Sequence, residues 1–188
     1  MGKQRKLVEH PDSADIAAAL AKATAGAFRG TVYRSAEPLY ARRAKILTGR
    51  GSAKHGGRWN PFGVATVYGS TTPETAMAES VAHLRRYGFD PADAFPRVFV
   101  AVELKLSAVI DLTNAATRRK LGISLTTIHN ENWRKENARG HETRTQAIGR
   151  LSAAAGFEGL IVPACDGGKN VNWFPTHLRH GSTAKLSR

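Results

Sequence analysis

Few residues of this chain stand in a spacing that announces chemistry by itself. Gly49, Gly51, Ser52, Gly56 and Gly57 form a glycine-rich stretch with the backbone freedom to wrap a phosphate. It matches neither a P-loop nor a dinucleotide fingerprint, and so predicts a loop. The seven histidines show no HExxH or other metal-ligand spacing, so no metal is expected. His83, within a helical pattern, reads as non-catalytic. Cys165 has Pro163 and Asp166 beside it and no histidine nearby in sequence, so it reads as a packing residue rather than a nucleophile. Glu79 is more informative. At about 100° per residue it lies about 200° from Met77, off the apolar stripe of Met77, Val81 and Leu84. It therefore faces either a cleft or solvent. Glu74, nearer the start of the same helix, reads as a favourable helix-end charge. Arg34 ends an otherwise apolar strand, an unusual place for a charge.

The elements that position these residues follow from periodicity and punctuation. Ser13 caps an alanine-rich helix over Asp15–Ala25 that Gly26 stops. Thr31–Arg34 and Thr66–Tyr68 read as strands. Thr72 and Pro73 open a helix that runs to about Tyr87. Val98, Val100, Val102 and Leu104 alternate with their neighbours as a strand, and Val109–Asp111 reads as a further one. Residues 113–140 are polar and helical in places. A helix over Thr145–Ala155, a strand over Gly159–Val162 and a partner strand over Asn170–Phe174, across the Asp166–Gly168 turn, complete the pattern. Strands and helices mix without regular βαβ alternation, which predicts an α+β domain with a mixed or antiparallel β core flanked by helices.

The chain has 188 residues, 41% of them hydrophobic, enough for one globular core. A single cysteine excludes an internal disulfide and a cysteine-rich metal site. No apolar run approaches the roughly 20 residues that span a bilayer. The charged start, Met1–Lys6, fits neither a signal peptide nor the myristoylation pattern. No membrane association and a cytoplasmic location are expected. The net charge of +13 is uneven, with 12 basic and 4 acidic residues in 1–60, 4 and 5 in 61–110, and 12 and 6 in 111–188. Only Arg42–Lys45 and Arg118–Lys120 are clustered, and no nucleic-acid-binding signature is present. A basic surface invites a nucleic-acid reading, and an anionic small substrate or an acidic protein partner explains the excess equally well.

One stretch is longer than any short motif. Gly56-Gly57-Arg58-Trp59-Asn60-Pro61 leads through Val67-Tyr68-Gly69-Ser70 into Pro73-Glu74-Thr75-Ala76-Met77-Ala78-Glu79. In order and spacing it resembles the RES-domain family, the toxins paired with Xre-type antitoxins. Tyr33-Arg34 resembles the family's first arginine strand. Thr145–Arg150 and Gly156–Pro163 resemble its carboxy-terminal half, so the likeness covers roughly residues 28–175. It implies a RES domain over 28–175, preceded by a helical segment over 1–27 and followed by a loose basic tail over 176–188.

The resemblance also implies an ADP-ribosyltransferase-like fold and an enzyme that cleaves NAD at the nicotinamide–ribose bond, NAD being a substrate and no cofactor being needed. The acceptor, whether water, phosphate or a protein, is left open. Arg34, Arg58, Tyr68 and Glu79 are the implied catalytic residues, and Arg34, Arg58, Trp59, Asn60 and Tyr68 the implied NAD-binding residues. Arginine forks suit a diphosphate. A carboxylate suits the oxocarbenium-like ribose left as nicotinamide departs, and an aromatic ring can stack or position the sugar. The implied partner is an Xre-type antitoxin, with nucleic acid reached only through it. One departure stands out, since Ala164 follows Pro163 where the family has serine. If that position faces the substrate, a hydroxyl is missing from the site, and a degenerate domain that only binds its antitoxin becomes an alternative.

Overall fold

The computed structural model describes residues 6–38, 43–86, 88, 90, 92 and 95–187, the side chains of residues 43, 44, 83 and 86 excepted. The His83 side chain, Tyr87 and the Arg42–Arg43 part of the basic cluster lie outside the described set. Five strands close into a barrel: β1 (Gly26–Ala36), β2 (Val67–Ser70), β3 (Val98–Asp111), β4 (Gly159–Pro163) and β5 (Lys169–Trp173). The ring runs β1-β2-β5-β4-β3 and returns to β1. Its seam is the long antiparallel pairing of β1 with β3, from Gly26 opposite Val109 to Ala36 opposite Val98. Only β3 and β4 run parallel. A sixth strand, β6 (Thr183–Leu186), adds to β3.

Two apolar clusters hold this frame. One joins Val32, Val67, Val102, Leu104, Val171 and Trp173 from four barrel strands. The other packs Ile16 and Leu20 of α1 (Ser13–Ala21) and Ile148 of α8 (Arg144–Ala154) against Ile110, Leu160, Val162 and Phe174. The helix after β2, α4 (Pro73–Arg86), lies against β1 and β2. Its start is fixed as the sequence predicts, because the Thr72 hydroxyl accepts from Thr75 N–H.

The polar stretch after β3 resolves into α5 (Ala115–Lys120), α6 (Leu125–Asn130) and α7 (Trp133–Ala138). Each is too short for a periodic signal, but the side chains of Asn114, Ser124 and Asn132 cap their first turns. Thr143 and Gln146 make a reciprocal capping box at α8.

A buried carboxylate closes an irregularity in the barrel wall. The β1–β3 register slips between Gly26 and Phe28, and Ser107 and Ala108 N–H both turn to Glu158 Oε2, at 2.6 and 2.9 Å. Successive amides of a regular strand point to opposite edges, so only a bulge lets one carboxylate take both. Arg179 N–H adds a bond to Oε1 at 2.7 Å. Burial opposes the charge on Glu158, but bonds from Ser182, Arg179 and Ser107 outweigh it and hold the carboxyl at about 2.

Four expectations need correcting. The α1 helix starts at Ser13, and Asp12 occupies the cap position without a side-chain bond. The Ser13 hydroxyl donates instead to His10 O, and Gly26 opens β1 because pairing with Val109 claims it. After α2 (Arg43–Ile46), the glycine-rich stretch contains a short helix, α3 (Arg50–His55), entered through Gly49 at φ 65°. The tail is folded as well, since Ala184 and Leu186 pack on the barrel cluster while β6 pairs with β3. At the other end, α1 contributes to the shared core rather than standing apart.

Candidate active site

The barrel, α4 and the α6–α7 region enclose a cleft with two lobes, of about 340 and 320 Å³. Tyr68, Glu79, Asn170 and Asn172 belong to the walls of both. Strand register explains this partition. Tyr68 stands opposite Asn172 and Ser70 opposite Asn170 across β2 and β5, so residues two apart line up on one face. Glu79 approaches from α4, and its Oε1 accepts from Asn170 Nδ2 at 2.8 Å and from Cys165 N–H at 2.9 Å. Asn170 is itself held by the Ser70 hydroxyl at 2.7 Å. The Glu79 carboxylate is thus fixed by β5 and by the turn between β4 and β5, and it still borders both lobes.

Tyr68 is fixed just as firmly. Its hydroxyl donates to Asn60 Oδ1 at 2.5 Å and accepts from Trp59 N–H at 3.1 Å. Burial pushes the phenol pKa upward, outweighing the opposing effects of the Trp59 amide, Arg58 and Arg34. The phenol is therefore a neutral latch. Gly57 is required beside it, because a Cβ there would collide with the Tyr68 hydroxyl and Asn60 Oδ1.

The two arginines fall on opposite sides of the partition. Arg58 lines the first lobe, where its Nη1 donates to Ile128 O and Glu131 O at 2.8 and 2.9 Å at the end of α6. The Glu131 carboxylate in turn caps α8 through Arg144 N–H, Thr145 N–H and the Thr145 hydroxyl. Arg34 lines the second lobe and donates from Nη1 to Tyr68 O at 2.9 Å. Desolvation draws its pKa below the usual arginine value, against the opposing effect of Tyr68.

Of the two residues beside Arg58, Trp59 borders the cleft and Asn60 does not. Trp59 is 3% exposed and belongs to the apolar core, with an edge on the first lobe. Asn60 is 0% exposed and lines neither lobe. Its amide donates to Ser52, Pro61 and Val64 carbonyls, which leaves it a positioning residue for Tyr68. Position 164 also differs. Ala164 is 1% exposed and absent from the cleft wall, because the chain turns there through Ala164 N–H to Gly168 O and Gly167 N–H to Ala164 O. Cys165 is the residue that reaches the cleft. Its thiol is pushed up to about 11, first by desolvation and then by Glu79 and Asp166, which makes it a poor nucleophile.

Several wall residues escaped the sequence reading. Trp133 and Arg134 line the first lobe, the guanidinium 4.2 Å over the indole ring. Arg97 lines the second. Asn170 and Asn172 carried a usable signal, since two amides at alternate positions of an apolar strand mark a face that is not simply core. Arg97 carried none. Among the described residues, no group of three or more His, Cys, Asp or Glu comes together to hold a metal ion, and no helix is long and apolar enough to cross a membrane.

A small α+β domain with a closed barrel and a carboxylate set between two arginine-bearing lobes is the class that this geometry defines. Residues 31–186 match the RES domain, and the chain belongs to the RES-domain family. A chain in the crystal structure of the M. tuberculosis MbcT–MbcA toxin–antitoxin complex has the same fold, with a TM-score of 0.75 at 21% identity. The superposition covers 93% of this chain and 90% of that one. No curated protein matches.

Proposed function

We propose that this chain is the toxin of a toxin–antitoxin pair and that it cleaves NAD at the nicotinamide–ribose bond, depleting the cellular pool. The observation that carries the reading is Glu79, fixed by Asn170 and Cys165 on the partition between the lobes. A dinucleotide has a nicotinamide ring at one side of its labile bond and a diphosphate beyond the ribose at the other. A two-lobed cleft matches that division, with Trp133 and Arg58 in one lobe and Arg34 in the other. As nicotinamide leaves with the bonding electron pair, the ribose gains positive charge, and a carboxylate already oriented there stabilises it without reorganising. Tyr68 shapes the partition as a neutral ring. An ADP-ribosyltransferase-like ancestry accords with this chemistry, and the toxin–antitoxin setting of the structural neighbour accords with an antitoxin partner, here an Xre-type protein acting in the cytoplasm.

The test is incubation of the purified chain with NAD. Nicotinamide release is expected, and the other product names the acceptor: free ADP-ribose for water, its phosphorylated form for phosphate, or a labelled protein for mono-ADP-ribosyl transfer. A folded protein that releases no nicotinamide would overturn the reading. Expression of the chain alone is expected to arrest bacterial growth as cellular NAD falls.

A further inference from the structure

Thr75 is 3% exposed on α4, and a hydroxyl buried on a helix needs partners of its own. It has two. The Thr72 hydroxyl donates to Thr75 Oγ1 at 3.0 Å, and the Thr75 hydroxyl donates onward to Asp166 Oδ2 at 2.9 Å. Asp166 lies in the turn between β4 and β5, where its Oδ1 also accepts from Gly168 N–H at 2.9 Å. The Gly168 amide first, with help from the Thr75 hydroxyl and against desolvation, holds this carboxyl below its ordinary value. Asp166 is therefore an ionised acceptor at neutral pH. Gly168 packs tightly on the pair, because a Cβ there would come within 2.5 Å of Thr75 Oγ1 and 3.0 Å of Asp166 Oδ1.

Thr75 and Glu79 stand four residues apart, hence on one helix face, and both reach the same turn. Thr75 gives a bond to Asp166, and Glu79 Oε1 takes one from the adjacent Cys165 N–H at 2.9 Å. Cys165, Asp166 and Gly167 are exposed, so packing alone restrains the turn weakly. The other bond to Glu79 Oε1 comes from Asn170 Nδ2 of β5, a side chain that Ser70 already holds. With the turn released, the carboxylate would pivot about that single bond. We infer that Thr75 and Asp166 are positioning residues for Glu79: their bond fixes the β4–β5 turn so that Cys165 N–H stays aimed at the carboxylate. The effect on turnover rests on the NAD reading, whereas the effect on the Cys165 amide does not.

Amide hydrogen exchange at Cys165, followed by NMR in the substrate-free chain, tests the geometry. Thr75→Val, isosteric but without the hydroxyl, is expected to accelerate it at least about tenfold. Thr75→Ser, which keeps the hydroxyl, should stay within about twofold of the unchanged chain. Asp166→Ala breaks the same bond from the exposed side, and so decides the matter even where a change inside α4 impairs folding. Steady-state nicotinamide release tests the consequence. In Thr75→Val and Asp166→Ala kcat should fall about tenfold, because a misplaced group forfeits part of its orientation. KM for NAD should move by no more than a few-fold, and Thr75→Ser should restore kcat. In a Glu79→Gln background the same substitutions should cost less than about twofold, since they act through the carboxylate. Exposed Asp15→Asn on α1 controls for net charge and should leave both measurements unchanged. Folded Thr75→Val and Asp166→Ala proteins with ordinary Cys165 exchange, with unchanged kcat in an active chain, or with equal losses in both Glu79 backgrounds would overturn the assignment. Accelerated exchange in a chain that never releases nicotinamide would keep the positioning role and refute the NAD reading instead.

Discussion

Glu79→Gln is the sharpest perturbation of the proposed chemistry, because it keeps shape and removes charge. Glu79 Oε1 accepts two bonds, from Asn170 Nδ2 at 2.8 Å and Cys165 N–H at 2.9 Å. An amide oxygen accepts both, but each falls from charge-assisted strength, about 1.5–3 kcal/mol, to about 0.5–1.5 kcal/mol. Glu79 is only half-buried, so solvent screening reduces the difference, and a stability loss of about 1 kcal/mol is expected. That is too little to unfold a domain whose total is roughly 5–15 kcal/mol. The catalytic loss is larger. Removing one pre-oriented group that meets developing charge costs about 3–4 kcal/mol, or about 100-fold or more in rate. Because the charge develops only in the transition state, kcat should fall while KM moves by no more than a few-fold. Glu74→Gln is the control, exposed in the first turn of the same helix and worth a few tenths of a kcal/mol to it. Thermal melts and steady-state nicotinamide release on the three proteins decide. A folded Glu79→Gln with near-normal turnover would remove this carboxylate from the mechanism, and loss of turnover in Glu74→Gln alone would show that the wrong one had been assigned.

Tyr68→Phe strips Asn60 Oδ1 and Trp59 N–H of their shared partner in a buried setting, at about 1–3 kcal/mol for each orphaned group. Chemical denaturation should show a drop of about 2–4 kcal/mol, and an unchanged midpoint would mean that the latch contributes nothing. Glu158 should make the fold acid-sensitive, because its folded pKa, about 2, lies below the unfolded value of 4.5. Its contribution of about 3 kcal/mol is complete above pH ~4.5 and is lost as pH falls toward ~2; melting curves of the unchanged chain and Glu158→Gln should therefore converge on acidification, and a constant gap would refute the assignment.

The strands were legible where apolar alternation was long, as in Val98–Leu104, and α4 was legible from its cap at Thr72 and Pro73. Barrel closure was not, because the β1–β3 seam joins residues some seventy positions apart and depends on neither strand alone. Nor was β6 or the position of α1, since both owe their packing to partners distant in sequence. In the cleft, the residue types of Arg34, Arg58, Tyr68 and Glu79 were visible through an extended likeness. Which side each would face was fixed only by register and by contacts. Asn60 shows the difference best: its neighbours in sequence suggested a ligand contact, whereas three carbonyls and one phenol bury it behind the wall. Ala164 and Cys165 exchange roles for a similar reason, because a turn replaces the strand there.

The cleft wall is drawn from Arg34 near one end of the fold and from Cys165, Asn170 and Asn172 near the other. A nascent chain that has emerged through α4 already carries Arg34, Arg58, Tyr68 and Glu79, yet it lacks β5, the strand that pairs with β2 and helps to orient the carboxylate. Synthesis must therefore pass residue 172 before the pocket exists in any form. A ribosome that stalls earlier would release a fragment that carries these four side chains but lacks the strand that completes the cleft around them. For a protein with the toxin activity proposed above, that ordering delays the hazard until β5 has been synthesised.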